Sequence, residues 1–394
     1  MSRTPHRPRG NRVDGTAPNA PPLAGYGAWP VGVTTLALIH ACQIDVLATK
    51  DGTPQLYDRP LMVELWYPAT GPTTGPGQGT SYHTLLRDGQ TPVTLHGRAS
   101  RDAPASGRPP LVILSHGYPG NRFLMAHLAE TLASRGYAVA AIDHTDSTYA
   151  DKGTFASTLL HRPLDQRFVI DSLAASHSDR IDTDCTAVIG YSMGAYGALL
   201  FGGAGLSKAA LAYGGPQSDL LLRHAEGSAT LAELTDPRVK AIVPIGLWGA
   251  QHGFWSAKAL AAMQKPCLLI AGSADSVSGY ETGIRAVFTG LTGTTRHLLT
   301  FHGAGHNAAA PIPAPEESWR PSPHLDFLPA EHYADEIWET LWMNVVAQHI
   351  IAAFLGLHLQ GQSGLAAYLA PDLPGFATGS TKGLRFETIK GGPD

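Results

Sequence analysis

The sequence predicts an α/β protein: a mostly parallel central sheet, helices on both of its faces, and cap-like insertions. Three observations carry this. From Leu111 onward short continuous apolar runs recur, "LVILS", "YAVAAID", "TAVIG", "KAIVPIGL", "PCLLIAG" and "HLLTF". Segments of helical pattern separate most of them, which gives a βαβα order. The composition, 43% apolar and only 15% charged over 394 residues, supplies a core large enough to bury such strands. Continuous rather than alternating apolar strands are what a parallel sheet covered on both faces requires.

Taken in chain order, residues 1–30 are rich in Pro, Arg, Gly and Asn and read as a disordered lead-in. "VGVTTLALIH" and "RPLMVELWYPA" show strand-like alternation or β-branched enrichment and read as antiparallel opening strands; "ATGPTTGPGQGTSY", from Ala69 to Tyr82, is a loop. A catalytic domain is expected over 31–360. Within it "NRFLMAHLAETLASRG" is a helix closed by Gly136, and "LDQRFVIDSLAAS" is a helix with Ile170, Leu173 and Ala174 on one face. Two segments look added to the sheet and able to cap a pocket, roughly 213–237 and the Pro-rich 310–331. "EIWETLWMNVVAQHIIAAFLGL" reads as a long closing helix, and 361–394 as a tail packed on the domain with a short strand at "GLRFETI".

The formal charge of −4 and the absence of a Lys/Arg cluster argue against nucleic acid as a partner. The first 30 residues hold no apolar run of the length a signal peptide or membrane helix needs, so no membrane span is expected. Cys42, Cys185 and Cys267 are odd in number and sit in or beside apolar segments, which favours buried reduced thiols; a cytoplasmic address follows as an expectation. There is no P-loop, no GxGxxG after a strand, no CxxC and no HExxH, so neither a cofactor nor a metal is expected.

The chemistry is concentrated in "TAVIG-YSMG-AYGALLFG", an apolar strand running into a Gly-flanked serine and then into a helical pattern. That context makes Ser192 a candidate nucleophile on a strained turn, with Gly190 and Gly194 at positions where side chains would collide with the neighbouring strand and helix. A serine hydroxyl is a poor nucleophile at neutral pH and needs a base, itself held by a carboxylate. Asp275 follows the strand "PCLLIAG" and His306 follows "HLLTF", so both lie at the carboxyl edge of the sheet with Ser192. His302 is a rival base and Asp236 and Asp143 are rival acids. His306 is preferred because its Gly-Ala-Gly-His loop can reach back over the sheet. Two backbone N–H groups must meet the oxyanion; Met193 and, in "LVILSHGYPGN", Tyr118 are the candidates. Trp248 and Trp255, with Tyr118 and Trp319, are candidates for an apolar substrate wall.

These stretches resemble the α/β-hydrolase superfamily, in particular its platelet-activating-factor acetylhydrolase-like and dienelactone-hydrolase-like branch, and around the triad they are similar to bacterial polyester hydrolases. "SHG", "ASRGYAVAAIDHTDS", "GYSMG", "CLLIAGSADS" and "GAGHN" carry the likeness, which covers most of the chain. It implies Ser192 as nucleophile, His306 as base, and Tyr118 and Met193 as oxyanion donors. The acetylhydrolases keep their acid after the strand that here ends "IGLWG", where no Asp stands, so the acid is carried onto Asp275 from the polyester-hydrolase and dienelactone-hydrolase pattern. The expected function is cleavage of a small-molecule carboxylic ester. The same triad also suits an amidase, carbamate hydrolase, lactonase or acyltransferase.

Overall fold

The computed structural model describes residues 10–50 and 53–391. Its strands are β1 (Val31–Lys50), β2 (Thr53–Pro68), β3 (Ser81–Leu85), β4 (Pro92–His96), β5 (Ser100–Arg101), β6 (Pro110–Ser115), β7 (Ala138–Asp143), β8 (Asp182–Tyr191), β9 (Val239–Ile245), β10 (Cys267–Gly272), β11 (Arg296–Phe301) and β12 (Leu384–Ile389). Ten of them form one sheet in the order β12-β11-β10-β9-β8-β6-β7-β2-β1-β5, and β3 pairs with β4 separately. The six apolar runs expected as strands are β6 to β11, and they pair in parallel throughout. β1 and β2 form the expected antiparallel opening pair, and β12 runs antiparallel to β11. This is the α/β-hydrolase fold.

Successive residues of one strand feed two cores. In β6, Val112 and Leu114 pack toward helix α1 (Ala126–Ala133) and the closing helix Thr340–Leu359, whereas Leu111 and Ile113 pack toward helices α2 (Phe155–His177) and α3 (Met193–Phe201). Burial on both faces is why these strands carry no polar alternation. The closing helix is long and apolar enough to suit a membrane, with mean hydropathy 1.5, but 83% of that stretch is buried inside the fold, so it serves here as a core helix.

Several expectations need correction. Of the lead-in, residues 1–9 lie outside the described residues, but 10–30 is packed on the domain: Val13 and Ala24 are buried, Val13 N donates to His96 O at 2.9 Å, and the buried Asp14 carboxylate pairs with Arg12 and Arg98. Cys42 is exposed rather than buried, while Cys185 is half-buried and Cys267 buried. The second helix begins at Phe155, well before Leu164, and passes straight through Pro163. A proline inside a helix strips the carbonyl four residues earlier of its N–H partner. Here the Tyr196 hydroxyl supplies the substitute, donating to Leu159 O at 2.9 Å. Finally, the tail is more than a covering: β12 completes the sheet edge.

Of the two insertions, 213–237 forms a 3-10 helix (Gly215–His224) and a short helix (Ala229–Leu234). Leu221, Leu231 and Leu234 bury there, and His224 Nε2 donates to Leu160 O of α2 at 2.8 Å. This segment buttresses α2 and contributes no lining residue to the cavity described next. The second insertion does reach that cavity, through Phe327 and Glu331.

Candidate active site

Ser192 sits between the end of β8 and the first residue of α3, at φ 52° and ψ −109°. For a residue with a Cβ this left-handed backbone is costly and persists only where its surroundings impose it. They do: Ser192 N donates to Ile245 O at 2.9 Å and Tyr196 N to Ser192 O at 3.1 Å. The flanking glycines allow the close approach. A Cβ on Gly190 would lie 2.1 Å from the backbone of Gly194, and one on Gly194 would lie 2.0 Å from Ser115 O of β6. Any larger residue at either position would push the elbow off the sheet.

Asp275 follows β10 and is 3% exposed. Its Oδ1 accepts from Val277 N and Ser278 N, both at 2.9 Å, and its Oδ2 accepts from His306 Nδ1, also at 2.9 Å. Burial pushes this carboxyl up, but the hydrogen bonds and the imidazole outweigh it, and the pKa falls below the ordinary value. His306 lies on the loop after β11. The backbone below it is Gly246, at φ 53°, and its ring stands 5.1 Å from that of Tyr191. Ser192 and His306 open onto one cavity of about 470 Å³.

The rival residues lie elsewhere. The backbone N and O of His302 bond Gly383 and Trp338 beside β12, and its side chain is exposed and does not line the cavity. Asp236 is paired with Arg238 and Arg167 ahead of β9, at the opposite edge of the sheet, and Asp143 is paired with Arg122.

Tyr118 and Met193 both line the cavity. Met193 is the first residue of α3, so its N–H has no partner within the helix and lies at the positive end of the dipole. The orientation of the Tyr118 amide follows from a buried arginine. Arg162 is 1% exposed; it donates to His116 O and to Gly117 O, the latter at 3.3 Å, and to Ser147 Oγ. With a trans, planar Gly117–Tyr118 peptide, a carbonyl held on the Arg162 side sends the Tyr118 N–H to the other side. Burial, only partly offset by nearby Asp165, lowers the Arg162 pKa to about 9.

Beneath this loop runs a second Ser–His–Asp chain: Ser115 Oγ meets His144 Nε2 at 2.8 Å, and His144 Nδ1 meets Asp165 Oδ2 at 3.0 Å. Its three residues are 0–1% exposed and Asp165 is also paired with Arg59 at 2.9 Å. The same residue pattern is therefore a core fastening here, because no reactant can reach it.

Of the expected substrate wall, Trp248 lines the cavity, in edge contact with Phe155 at 5.0 Å, and Phe155 in turn meets Tyr118 at 5.2 Å. Trp255 does not. It is 7% exposed, packs on Tyr196 and Phe254, and gives its indole N–H to Ala204 O at 3.0 Å, so the sequence expectation for it is corrected. Trp319 packs against the core on the closing-helix side. Lining residues without a sequence signal are Arg87, Phe155, Val277, Phe327 and His332; Asn307 was discoverable only as the neighbour of His306. Asn307 Oδ1 accepts from Tyr191 Oη at 3.0 Å, and its amide donates to Glu331 O at 2.7 Å and Ala334 O at 2.9 Å.

The chain is similar to known proteins over the elbow and over the fold. A family model described as "PETase: PET hydrolase-like" matches residues 97–214, which include the elbow. The chain is 27% identical over 198 residues to Cutinase 2 of Thermobifida cellulosilytica, a match covering 50% of this chain and 60% of that one. It is equally similar to Cutinase cut1 of Thermobifida fusca, of which it covers 49%, and 35% identical over 88 residues, 22% of this chain, to Cutinase est1 of Thermobifida alba, of which the match covers 28%. The matches thus span from 28% to 60% of the length of these curated relatives. A solved structure, the ferulic acid esterase from Streptomyces cinnamoneus, superposes with a TM-score of 0.63 at 22% identity, covering 97% of this chain and all of that one, and so shares its fold.

Proposed function

We propose that the protein is a serine hydrolase that cleaves carboxylic esters through an acyl-enzyme. The observation that carries this reading is the 2.9 Å contact of His306 Nδ1 with Asp275, beside a Ser192 held at φ 52° on the same cavity. With the carboxylate accepting from Nδ1, the imidazole keeps Nε2 as its basic nitrogen, the one left to take the serine proton. Ser192 Oγ attacks the ester carbonyl, and the oxyanion that forms is met by the N–H groups of Met193 and Tyr118. His306 then passes the proton to the departing alcohol, and a water activated by the same imidazole releases the acid.

The cutinase likenesses support an ester as the substrate, and the Tyr118, Phe155 and Trp248 side chains favour one with an apolar or aromatic portion. Kinship with the acetylhydrolase-like and dienelactone-hydrolase-like branch is a finer part of the proposal and is supported by the "ASRGYAVAAIDHTDS" stretch. The PET-hydrolase-like match supports the polyester-hydrolase likeness around Ser192. Incubation with 4-nitrophenyl acetate is expected to release a burst of nitrophenol equal to the enzyme present and to leave the acyl mass on the peptide containing Ser192. Turnover with that peptide unmodified would overturn the reading.

The Arg162 contacts give a second expectation. Arg162→Met is expected to lower kcat by about 10²-fold with KM changed far less, because the Tyr118 amide loses its orientation only where the transition state uses it. Arg162→Lys should restore part of kcat. Loss of activity that merely tracks loss of folded protein in both variants would leave Arg162 a stabilising residue only.

A further inference from the structure

Arg87 lies on the tight turn between β3 and β4 and reaches the cavity that holds Ser192. Its guanidinium stacks over the ring of Phe327 at 5.7 Å, yet among the described residues no carboxylate lies within ion-pair distance and no side chain or carbonyl accepts any of its N–H groups. The adjacent carboxylate is turned inward: Asp88 accepts from Gln90 N, Thr91 N, Thr91 Oγ1 and Ser322 Oγ. The turn itself is rigid. Gly89 stands at φ 70° against Tyr149 O, where a Cβ would come within 2.2 Å, and Leu86 is buried. Most other arginines among the described residues have a carboxylate or carbonyl partner, such as Arg98 on Asp14, Arg122 on Asp143 and Arg135 on Gly25. A guanidinium on a half-buried residue, with no protein partner for its donors and preset at the wall of the cavity, is a fork shaped for a planar anion. One acidic side chain shares the wall, Glu331, whose Oε1 accepts from Leu328 N at 3.1 Å and which is exposed at the rim.

We propose that Arg87 is an anion-recognising subsite that selects esters carrying a carboxylate remote from the scissile bond. The proposal rests on the ester-hydrolase reading and names the substrate class within it: half-esters of dicarboxylic acids, or esters whose alcohol bears an acid. The aromatic wall of Tyr118, Phe155 and Trp248 takes the apolar spacer, and Arg87 takes the charge. A charge-assisted bidentate contact at such a site corresponds to about 10- to 100-fold in specificity.

The test uses paired substrates differing only in a terminal carboxylate or its neutral carboxamide: monoethyl esters of linear dicarboxylic acids of increasing length, and a parallel series with the acid on the alcohol portion. Wild type is expected to prefer the acid at one chain length by about 10- to 100-fold in kcat/KM, and Arg87→Gln to abolish that preference. Arg87→Lys should keep a smaller one, since it retains the charge without the fork. Because the ratio is taken within each variant, partial unfolding cancels. Whichever series shows the preference tells whether the acyl or the alcohol side meets Arg87. Equal ratios in wild type and Arg87→Gln would overturn the proposal while leaving ester hydrolysis standing. A second readout needs no turnover: in a Ser192→Ala background, calorimetry is expected to find the acid bound more tightly than its amide only when Arg87 is present. Equal binding there overturns the subsite whether or not the wild type cleaves esters.

Discussion

Ser192→Ala is expected to reduce kcat on a 4-nitrophenyl ester by about 10⁴- to 10⁶-fold, leaving a remnant that reflects the oxyanion donors and binding alone. The large factor follows from the division of labour: without Oγ, neither His306 nor Asp275 has a covalent step to assist. Stability should hardly change. No described hydrogen bond uses the Ser192 hydroxyl, and alanine keeps the same left-handed backbone. Ser192→Gly would relieve that strain and is expected to raise stability by up to about 1 kcal/mol while being equally inactive. Purified variants compared by initial rate and by thermal unfolding decide it. Alanine activity within tenfold of wild type would remove Ser192 from the chemistry.

Acidification is expected to unfold the protein cooperatively at a pH well above that at which ordinary carboxylates protonate. Burial drives the pKa of His127, His144 and His332 down to about 3, that of His161, His224, His297 and His349 to about 4, and that of His116 well below its ordinary value. In the unfolded chain each would take a proton near pH 6.5. Between about 6.5 and the folded pKa the unfolded state therefore binds more protons, and stability falls as pH falls, by about 1.4 kcal/mol per unit for each imidazole. Against a total stability of about 5–15 kcal/mol, several such groups suffice to unfold the domain near about pH 5. Circular dichroism against pH measures the midpoint. His127→Leu should move it downward, since His127 Nδ1 is buried without a partner. A melting temperature constant from about pH 7 to about pH 4.5 would show that these imidazoles are solvated.

The parts of the molecule legible in its sequence are those where one local rule governs. β6 to β11 are buried on both faces and so read as unbroken apolar runs. The elbow reads because Gly190 is demanded by the backbone of Gly194, four residues on, although Gly194 itself makes room for Ser115 of the distant β6. Where long-range contacts override local preference, the reading stops. Pro163 hides the first turns of α2 because the compensating hydroxyl belongs to Tyr196, on another helix. Residues 10–30 have the composition of a loose arm, yet Asp14 and Trp29 find partners in Arg98 and in the carbonyl of Ser134. The outer arms of β1 and β2 extend beyond the expected strands because they are paired but largely exposed, with Leu47 and Leu56 in solvent and only isolated positions such as Val46 buried, too few to impose an alternation. The triad could be assembled from strand ends, whereas Arg87 and Phe327 come from turns far apart in sequence that meet only in the folded wall.

Asn307 has a mechanical consequence. Next to the base, it holds the backbone of Glu331 and Ala334, while Tyr149 meets His332 at 2.7 Å and Ser322 is held by Asp88. The second insertion is thus sewn down along its length, and its last stitches are in the loop that carries His306. Lifting it as a flap would drag on the loop that holds the His306 imidazole against Asp275. It behaves as masonry around a fixed doorway, with Phe327 and Trp248 both set in the wall of the cavity.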